Sequence, residues 1–149
     1  MPADTEVKTS GSRESLRDLD AVGLEVKRLP SSLKDEGVDP QDVFLFMGER
    51  LRKAPVHVIS RTGAAHHLGS PTLSLEISLF EREPGSFMYT VTLELIQGVG
   101  LERSDHHRFV PAPTWRAEAV GLAQKGQLAA LKDQMGATAD AFVTDFAAK

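Results

Sequence analysis

Four of the five histidines form two adjacent pairs, and these pairs are the residues of the chain best suited to bind a metal ion. The pairs are His66 with His67 and His106 with His107, and the carboxylates of Glu102 and Asp105 precede the second pair. Zinc, copper and nickel all accept neutral imidazole and carboxylate ligands. Adjacent side chains on an extended chain point in opposite directions, so each pair is expected to give one ligand to a shared ion.

A second interpretation of these histidines stays open, in which all four are exposed polar residues of loops. The chain has no dedicated metal-binding spacing such as His-Glu-x-x-His, and this absence favours the loop interpretation. The fifth histidine, His57, lies in the short apolar run from Val56 to Ile59. We expect it to be hydrogen-bonded and partly buried, and not to be a ligand.

Catalytic motifs are absent from the sequence. There is no Gly-x-Ser-x-Gly and no phosphate-binding loop, and Gly98-Val99-Gly100 lacks the third glycine of a dinucleotide-binding turn. Glu76 and Glu94 are expected to be solvated charges of a sheet, since no apolar wall is indicated that would raise the pKa of one carboxyl. The chain has no cysteine, which excludes thiol catalysis and thiolate zinc sites.

The charge balance argues against a nucleic-acid partner. The chain has 17 basic and 21 acidic side chains, a formal net charge of −4, and no basic stripe with interleaved aromatic residues. It also has no run of about 18 apolar residues that would span a bilayer. The opening Met1–Glu6 lacks a signal-peptide pattern, so we expect either a cytosolic start or the polar start of a trimmed exported protein.

A long antiparallel hairpin is the clearest structural prediction, because two leucine-rich segments alternate strictly between apolar and polar residues. These segments cover residues 72–79 and 89–95. A five-residue loop from Arg82 to Ser86, with Pro84-Gly85 at its centre, would place Leu75 opposite Leu93. Phe80 and Met88 would then face each other on the outer side of the hairpin, where they are a candidate contact with a partner.

The other elements complete an α+β domain. Strands are expected at residues 22–26, 56–59 and around Trp115, and helices after Asp39-Pro40 and from Gln127 to Ala148. The predicted fold is a mainly antiparallel sheet of about five strands with two helices packed on one face, in the order β-α-β-β-β-β-α. Residues 1–15 are expected to be a flexible polar tail, and residues 16–149 a single domain.

Three segments carry a family resemblance: Leu51-Arg52-Lys53-Ala54, the run from Leu93-Glu94-Leu95 to Leu101-Glu102-Arg103, and Thr114-Trp115. In this order they resemble small bacterial domains that are often exported, and the layout resembles the N-terminal domain of TolB-like periplasmic proteins. The resemblance covers about Val22 to the C-terminus. It implies a non-enzymatic accessory or assembly role in the cell envelope, and it implies no catalytic residues.

We therefore expect a binding or assembly module without catalysis, without a required cofactor, and with a protein partner or self-association. The alternative is a metal-binding protein that holds zinc, copper or nickel with His66, His67, His106 and His107. An enzyme of another type is a third possibility, for which the sequence names no residues.

Overall fold

A computed structural model of the protein describes residues 6–60, 71–100 and 109–148. Its strands are β1 Lys8–Gly11, β2 Ala21–Val26, β3 His57–Ser60, β4 Thr72–Glu83, β5 Ser86–Gly100 and β6 Phe109–Gln124. Its α-helices are α1 Ser31–Asp35, α2 Pro40–Leu51 and α3 Leu131–Ala147, and 3₁₀ turns cover Arg13–Leu16 and Leu128–Ala130.

The strands form one six-stranded sheet in the order β1-β6-β5-β4-β2-β3. β4, β5 and β6 follow one another as an antiparallel meander, and β1 pairs antiparallel with β6. β2 is parallel to both β3 and β4. The sheet is therefore mixed, and the fold class is α+β.

The predicted hairpin and its register are confirmed by the pairing of β4 with β5. Leu75 lies opposite Leu93, and Glu76 lies opposite Thr92. The loop, however, is shorter than predicted, because Glu83 already pairs with Ser86 and an irregularity between Glu81 and Glu83 absorbs the extra residue. Gly85 at the turn has a φ of 81°, a left-handed conformation that glycine adopts without steric cost.

The start of α2 follows the predicted capping chemistry. The Asp39 side chain accepts a hydrogen bond from the Gln41 N–H at 2.7 Å, and Pro40 occupies a first-turn position where its missing N–H costs nothing. The stripe of Val43, Met47 and Leu51 is buried against the sheet. α2 also contacts α3, to which the Arg50–Asp140 ion pair joins it at 2.9 Å.

The core lies between the helices and one face of the sheet. The covered face carries alternate residues of each long strand, and the small side chains of Ala117 and Ala119 on β6 allow α3 to pack closely. Trp115 is 2% exposed and contacts the Phe142 ring edge-on, with 5.4 Å between the ring centroids. Its indole N–H donates to Asp145 at 2.9 Å, which satisfies the polar atom of this buried ring.

The predicted flexible tail is wrong for residues 8–15. Lys8–Gly11 pairs with β6 as an edge strand, and the following 3₁₀ turn buries Leu16 in the core. All four residues of β1 are exposed, so the strand shows no apolar alternation that a sequence pattern would detect. Ladder hydrogen bonds with β6 order the strand, and the Ser15 hydroxyl bond to the Thr114 carbonyl and the Gln97 bond to the Ser15 carbonyl hold the turn that follows.

Three further details differ from the prediction. The sheet has six strands and not about five, two of its five pairings are parallel, and the described residues contain a third α-helix, α1. The parallel pairing of β2 with β3 follows from α1 and α2, which lie between these strands in the chain and form a crossover connection. The short α1 was missed because Pro30-Ser31-Ser32 is a breaker pattern that also starts helices.

Candidate functional site

The face of the sheet opposite α2 and α3, here called the open face, carries charged and apolar side chains arranged in rows. Residues that are directly opposite on neighbouring strands lie on the same face, so the register defines rows that cross the sheet. Two such rows are charged and lie near the middle of the strands. Two others are neutral or apolar and lie closer to the β4–β5 turn.

The two charged rows each cross β6, β5 and β4. One contains Arg116, Glu94 and Ser74, which are opposite one another in register. The other contains Glu118, Thr92 and Glu76. β1 and β2 extend the rows at either side, with Lys8 opposite Glu118 and Glu25 opposite Ser74. The rows contain both basic and acidic side chains, and the ion pairs between them form a lattice with little net charge.

Lys27 and Glu76 form the best-defined ion pair of this lattice, with 3.0 Å between Nζ and the carboxylate. The hydrogen bond from Lys27 to Glu76 raises the pKa of the lysine above its ordinary value of 10.5, with further contributions from the charges of Glu76, Glu25 and Glu94. Lys27 is therefore held in its protonated form and is unsuited to act as a general base at neutral pH.

Arg116 connects the acids at the other side of the lattice. Its guanidinium lies 3.4 Å from a Glu94 oxygen and also binds Glu118. Between Arg116 and Lys27 is a small polar pocket of about 90 Å³, whose floor includes the buried Ser74. The Ser74 hydroxyl oxygen makes no hydrogen bond. A pocket of this size and polarity suits ordered water, which needs two to four polar partners.

An exposed apolar row lies toward the turn on the same face. Phe80 on β4 is opposite Met88 on β5, and Met88 is opposite Leu122 on β6. These side chains are 64%, 40% and 60% exposed, respectively. Val120 extends the apolar surface by one row and is 49% exposed. Contiguous apolar residues on three neighbouring strands are unusual on a solvated sheet face and are typical of interaction sites.

The structure describes some of the sequence-predicted site residues and not others. Phe80 and Met88 face each other and are exposed, as the predicted register requires. The predicted metal ligands His66, His67, His106 and His107, with Glu102 and Asp105, lie outside the described residues, so the metal site stays a prediction. Among the described residues, no group of three or more His, Asp or Glu side chains lies close enough to share an ion.

The prediction that His57 is partly buried is wrong. His57 is exposed, and its backbone N–H donates to the Asp20 carbonyl at 3.0 Å. The reason is its position on β3, a four-residue strand at the edge of the sheet, on the side that no described helix covers. Its neighbour Val58 points the other way and packs against the core.

Sequence reasoning missed Leu122 as a member of the apolar row. The signal was present, because Val120 and Leu122 alternate with small residues after the inward set of Trp115, Ala117 and Ala119. Recognising it required knowing that β6 continues to Gln124 and pairs with the turn end of β5. The polar stretch at residues 124–127 does not itself show where the strand ends.

Comparison with known proteins gives no family for the chain: no family model matches it, and no curated protein matches it in sequence. Within the described ranges, no helix is both long enough and apolar enough to cross a membrane. Function is therefore argued from the surface itself.

Proposed function

We propose that this chain is a non-catalytic assembly module that binds a second copy of itself through the apolar row of the open face. The observation that supports the proposal is the row itself, formed by Phe80, Met88 and Leu122 on three adjacent strands and largely exposed. Most oligomers of a single chain are two-fold symmetric dimers, in which the same patch of each copy meets its counterpart.

The position of the row favours this occupant. A two-fold axis that runs along the row, parallel to the sheet, would bring Phe80, Met88 and Leu122 each against its counterpart in the other copy. The charged rows lie on one side of the apolar row, toward the middle of the strands. Rotation by the axis carries the second copy's charged rows to the opposite end of the assembly, so both lattices stay in water and no charge is buried.

The charge pattern also argues against a strongly charged partner. Glu76 is bound to Lys27, and Glu94 and Glu118 are bound to Arg116. A partner that needed these charges would have to break existing ion pairs. An apolar surface of the same shape needs none of them, and the second copy supplies such a surface.

The resemblance to the N-terminal domain of TolB-like periplasmic proteins agrees with an assembly role. From this resemblance we also propose that the chain acts as an accessory protein in the cell envelope. The row does not depend on that resemblance, and neither does the experiment that tests it.

Sedimentation velocity and light scattering over a concentration series up to about 100 µM would test self-association. The monomer is 16.2 kDa, and the wild-type protein is expected to approach twice that mass as concentration rises. Met88→Lys places two like charges at the two-fold axis and should shift the midpoint of dimer formation upward by at least about tenfold, equivalent to about 1.4 kcal/mol.

Leu45→Lys is the matched control, because Leu45 is an exposed apolar residue on α2, away from the open face. It should dimerise as the wild type does. A wild-type protein that stays monomeric throughout, or equal dimerisation by Met88→Lys, would contradict the proposal.

A further inference from the structure

A cleft of about 630 Å³ lies between the end of β6 and the start of α3, and its lining includes Leu122 of the apolar row. Residues 122–124 form one wall, and Ala130, Leu131 and Gln134 form the opposite one. Its volume falls within the range of roughly 300–1,000 Å³ that small-molecule sites occupy in proteins. The charged lattice of the open face contributes no residue to it.

The cleft is held open by fixed contacts. The Glu36 carboxylate accepts hydrogen bonds from the Gly126 and Leu128 N–H groups at 3.0 and 2.9 Å, which fixes the connection between β6 and α3. On the sheet side, Tyr89 is opposite Gly121, and its ring lies over that residue. A Cβ at position 121 would be 2.5 Å from the Tyr89 hydroxyl, so only glycine leaves room for this ring.

The lining selects a class of ligand. Leu122, Ala123, Ala130 and Leu131 supply an apolar surface, and the side chains of three glutamines stand around it at positions 124, 127 and 134. Asp133 is the charged residue of the lining, and among the described residues no basic side chain lines the cleft. Anions are therefore disfavoured, and an apolar molecule with uncharged polar groups is favoured.

Gln134 supplies a hydrogen-bond acceptor. Its side-chain oxygen Oε1 is buried and makes no hydrogen bond. An unsatisfied buried acceptor costs about 1–3 kcal/mol, and a donor that reaches it would recover this energy. Gln134 also lines the cleft, so this acceptor belongs to the wall that a ligand would contact.

We infer that this cleft binds a small, uncharged, mainly apolar molecule that carries one N–H or O–H donor, which Gln134 accepts. Leu122 belongs to both the apolar row and the cleft, but Phe80 and Met88 do not line the cleft, so variants at the β6–α3 junction and at Met88 test the two proposals separately. The apolar body packs between Ala123 and Leu131, and the donor points toward α3.

Two fluorescent probes with the same ring system test the inference. N-phenyl-1-naphthylamine is neutral, apolar and has a single N–H donor, whereas 8-anilinonaphthalene-1-sulfonate adds a negative charge to the same framework. Titrated with each probe, the wild-type protein should bind the neutral one at least about tenfold more tightly, which corresponds to about 1.4 kcal/mol.

Adjacent variants locate the probe. Ala130→Trp fills the cleft and should weaken binding at least tenfold relative to Ala129→Trp, which places the same ring on an exposed residue outside the lining. Gln134→Leu keeps the size of the side chain, removes the acceptor and should weaken binding about tenfold. Circular dichroism melts establish that each variant is folded, and if Ala130→Trp does not fold, Gln134→Leu decides.

Met88→Lys separates the cleft from the apolar row. Met88 does not line the cleft, so this variant should bind the neutral probe as the wild type does when both are measured below the concentration at which dimers form. The inference is overturned if the wild type does not bind the probe, if Ala130→Trp and Ala129→Trp bind it equally, or if binding is lost in Met88→Lys and retained in Ala130→Trp.

Discussion

The two faces of the sheet differ in how their side chains meet water. On β5, Leu93 is fully buried under the helices, while its neighbour Thr92 lies on the open face between Glu76 and Glu118. The covered face is continuous and apolar because the helices remove it from water. The open face separates into a charged lattice and an apolar row. The contrast indicates that folding energy resides on the covered face, and it leaves the open face available for the self-association proposed above.

Polar groups show the same difference. On the covered side, Trp115 and Asp145 form one hydrogen bond in the core, with Asp145 only 8% exposed. On the open face, Lys27 and Glu76 are both about half exposed and form an ion pair in contact with water. Equal geometric contacts should therefore contribute unequally to stability, since desolvation makes a lost partner costly only where water cannot replace it.

The largest expected difference in the free energy of unfolding is between substitutions at two adjacent residues of β5. Leu93→Ala removes a fully buried side chain and should lower the free energy of unfolding by about 2–5 kcal/mol. Thr92→Ala, on the open face, should change it by less than about 1 kcal/mol. Urea unfolding of both variants measures the contrast, and similar losses for the two would show that the open face is also a core.

A smaller loss of stability is expected when the buried hydrogen bond between Trp115 and Asp145 is broken. Asp145→Ala leaves the Trp115 indole N–H unsatisfied and should cost about 1–3 kcal/mol. Trp115 is the only tryptophan, so its fluorescence emission reports the change around the ring during the same unfolding experiment. Asp140→Ala removes the partly exposed partner of Arg50 and serves as control. If Asp145→Ala lost no more stability than Asp140→Ala, the hydrogen bond between Trp115 and Asp145 would not be a significant contributor to stability.

The smallest expected effect is on the open-face ion pair. Glu76→Gln should cost about 0.5 kcal/mol at neutral pH, the value typical of an exposed pair. Because Glu76 raises the pKa of Lys27, the pair contributes below the ordinary lysine pKa of 10.5 and loses its contribution as pH rises through the raised value. The stability gap to wild type should therefore close in strong alkali.

Thermal unfolding from pH 7 to 12 measures this difference in stability, at pH values chosen to span the ordinary lysine pKa of 10.5. Glu49→Gln, on the exposed side of α2, is the control for removing a carboxylate elsewhere. A gap that persisted unchanged in alkali would mean that Glu76 acts through another contact.

The hairpin could be predicted because two independent signals agree there. Leu73 to Leu79 and Tyr89 to Leu95 alternate with period two, and Pro84-Gly85 supplies turn chemistry between them. Avoiding like charges opposite each other then selected the observed pairing of Leu75 with Leu93. The Asp39-Pro40 start of α2 was equally predictable, since capping depends on neighbouring residues alone.

The rest depends on contacts between distant segments. β1 has only exposed side chains, and what orders it is the backbone of β6, more than 100 residues away. The parallel position of β2 between β3 and β4 follows from a crossover that local patterns do not encode. Leu122 lies in the apolar row because β6 pairs with β5. Ala130 lines the cleft because α3 packs beside β6.

The central claim, that two copies meet at Met88, can be tested directly because the chain contains no cysteine. Facing sheets lie about 10 Å apart, a gap that a short bismaleimide linker spans. Met88→Cys treated with this linker at the concentration of half-maximal dimer formation is predicted to give mainly covalent dimers, and Leu45→Cys to stay monomeric. Equal cross-linking of the two variants, or none at Met88→Cys, would contradict the account.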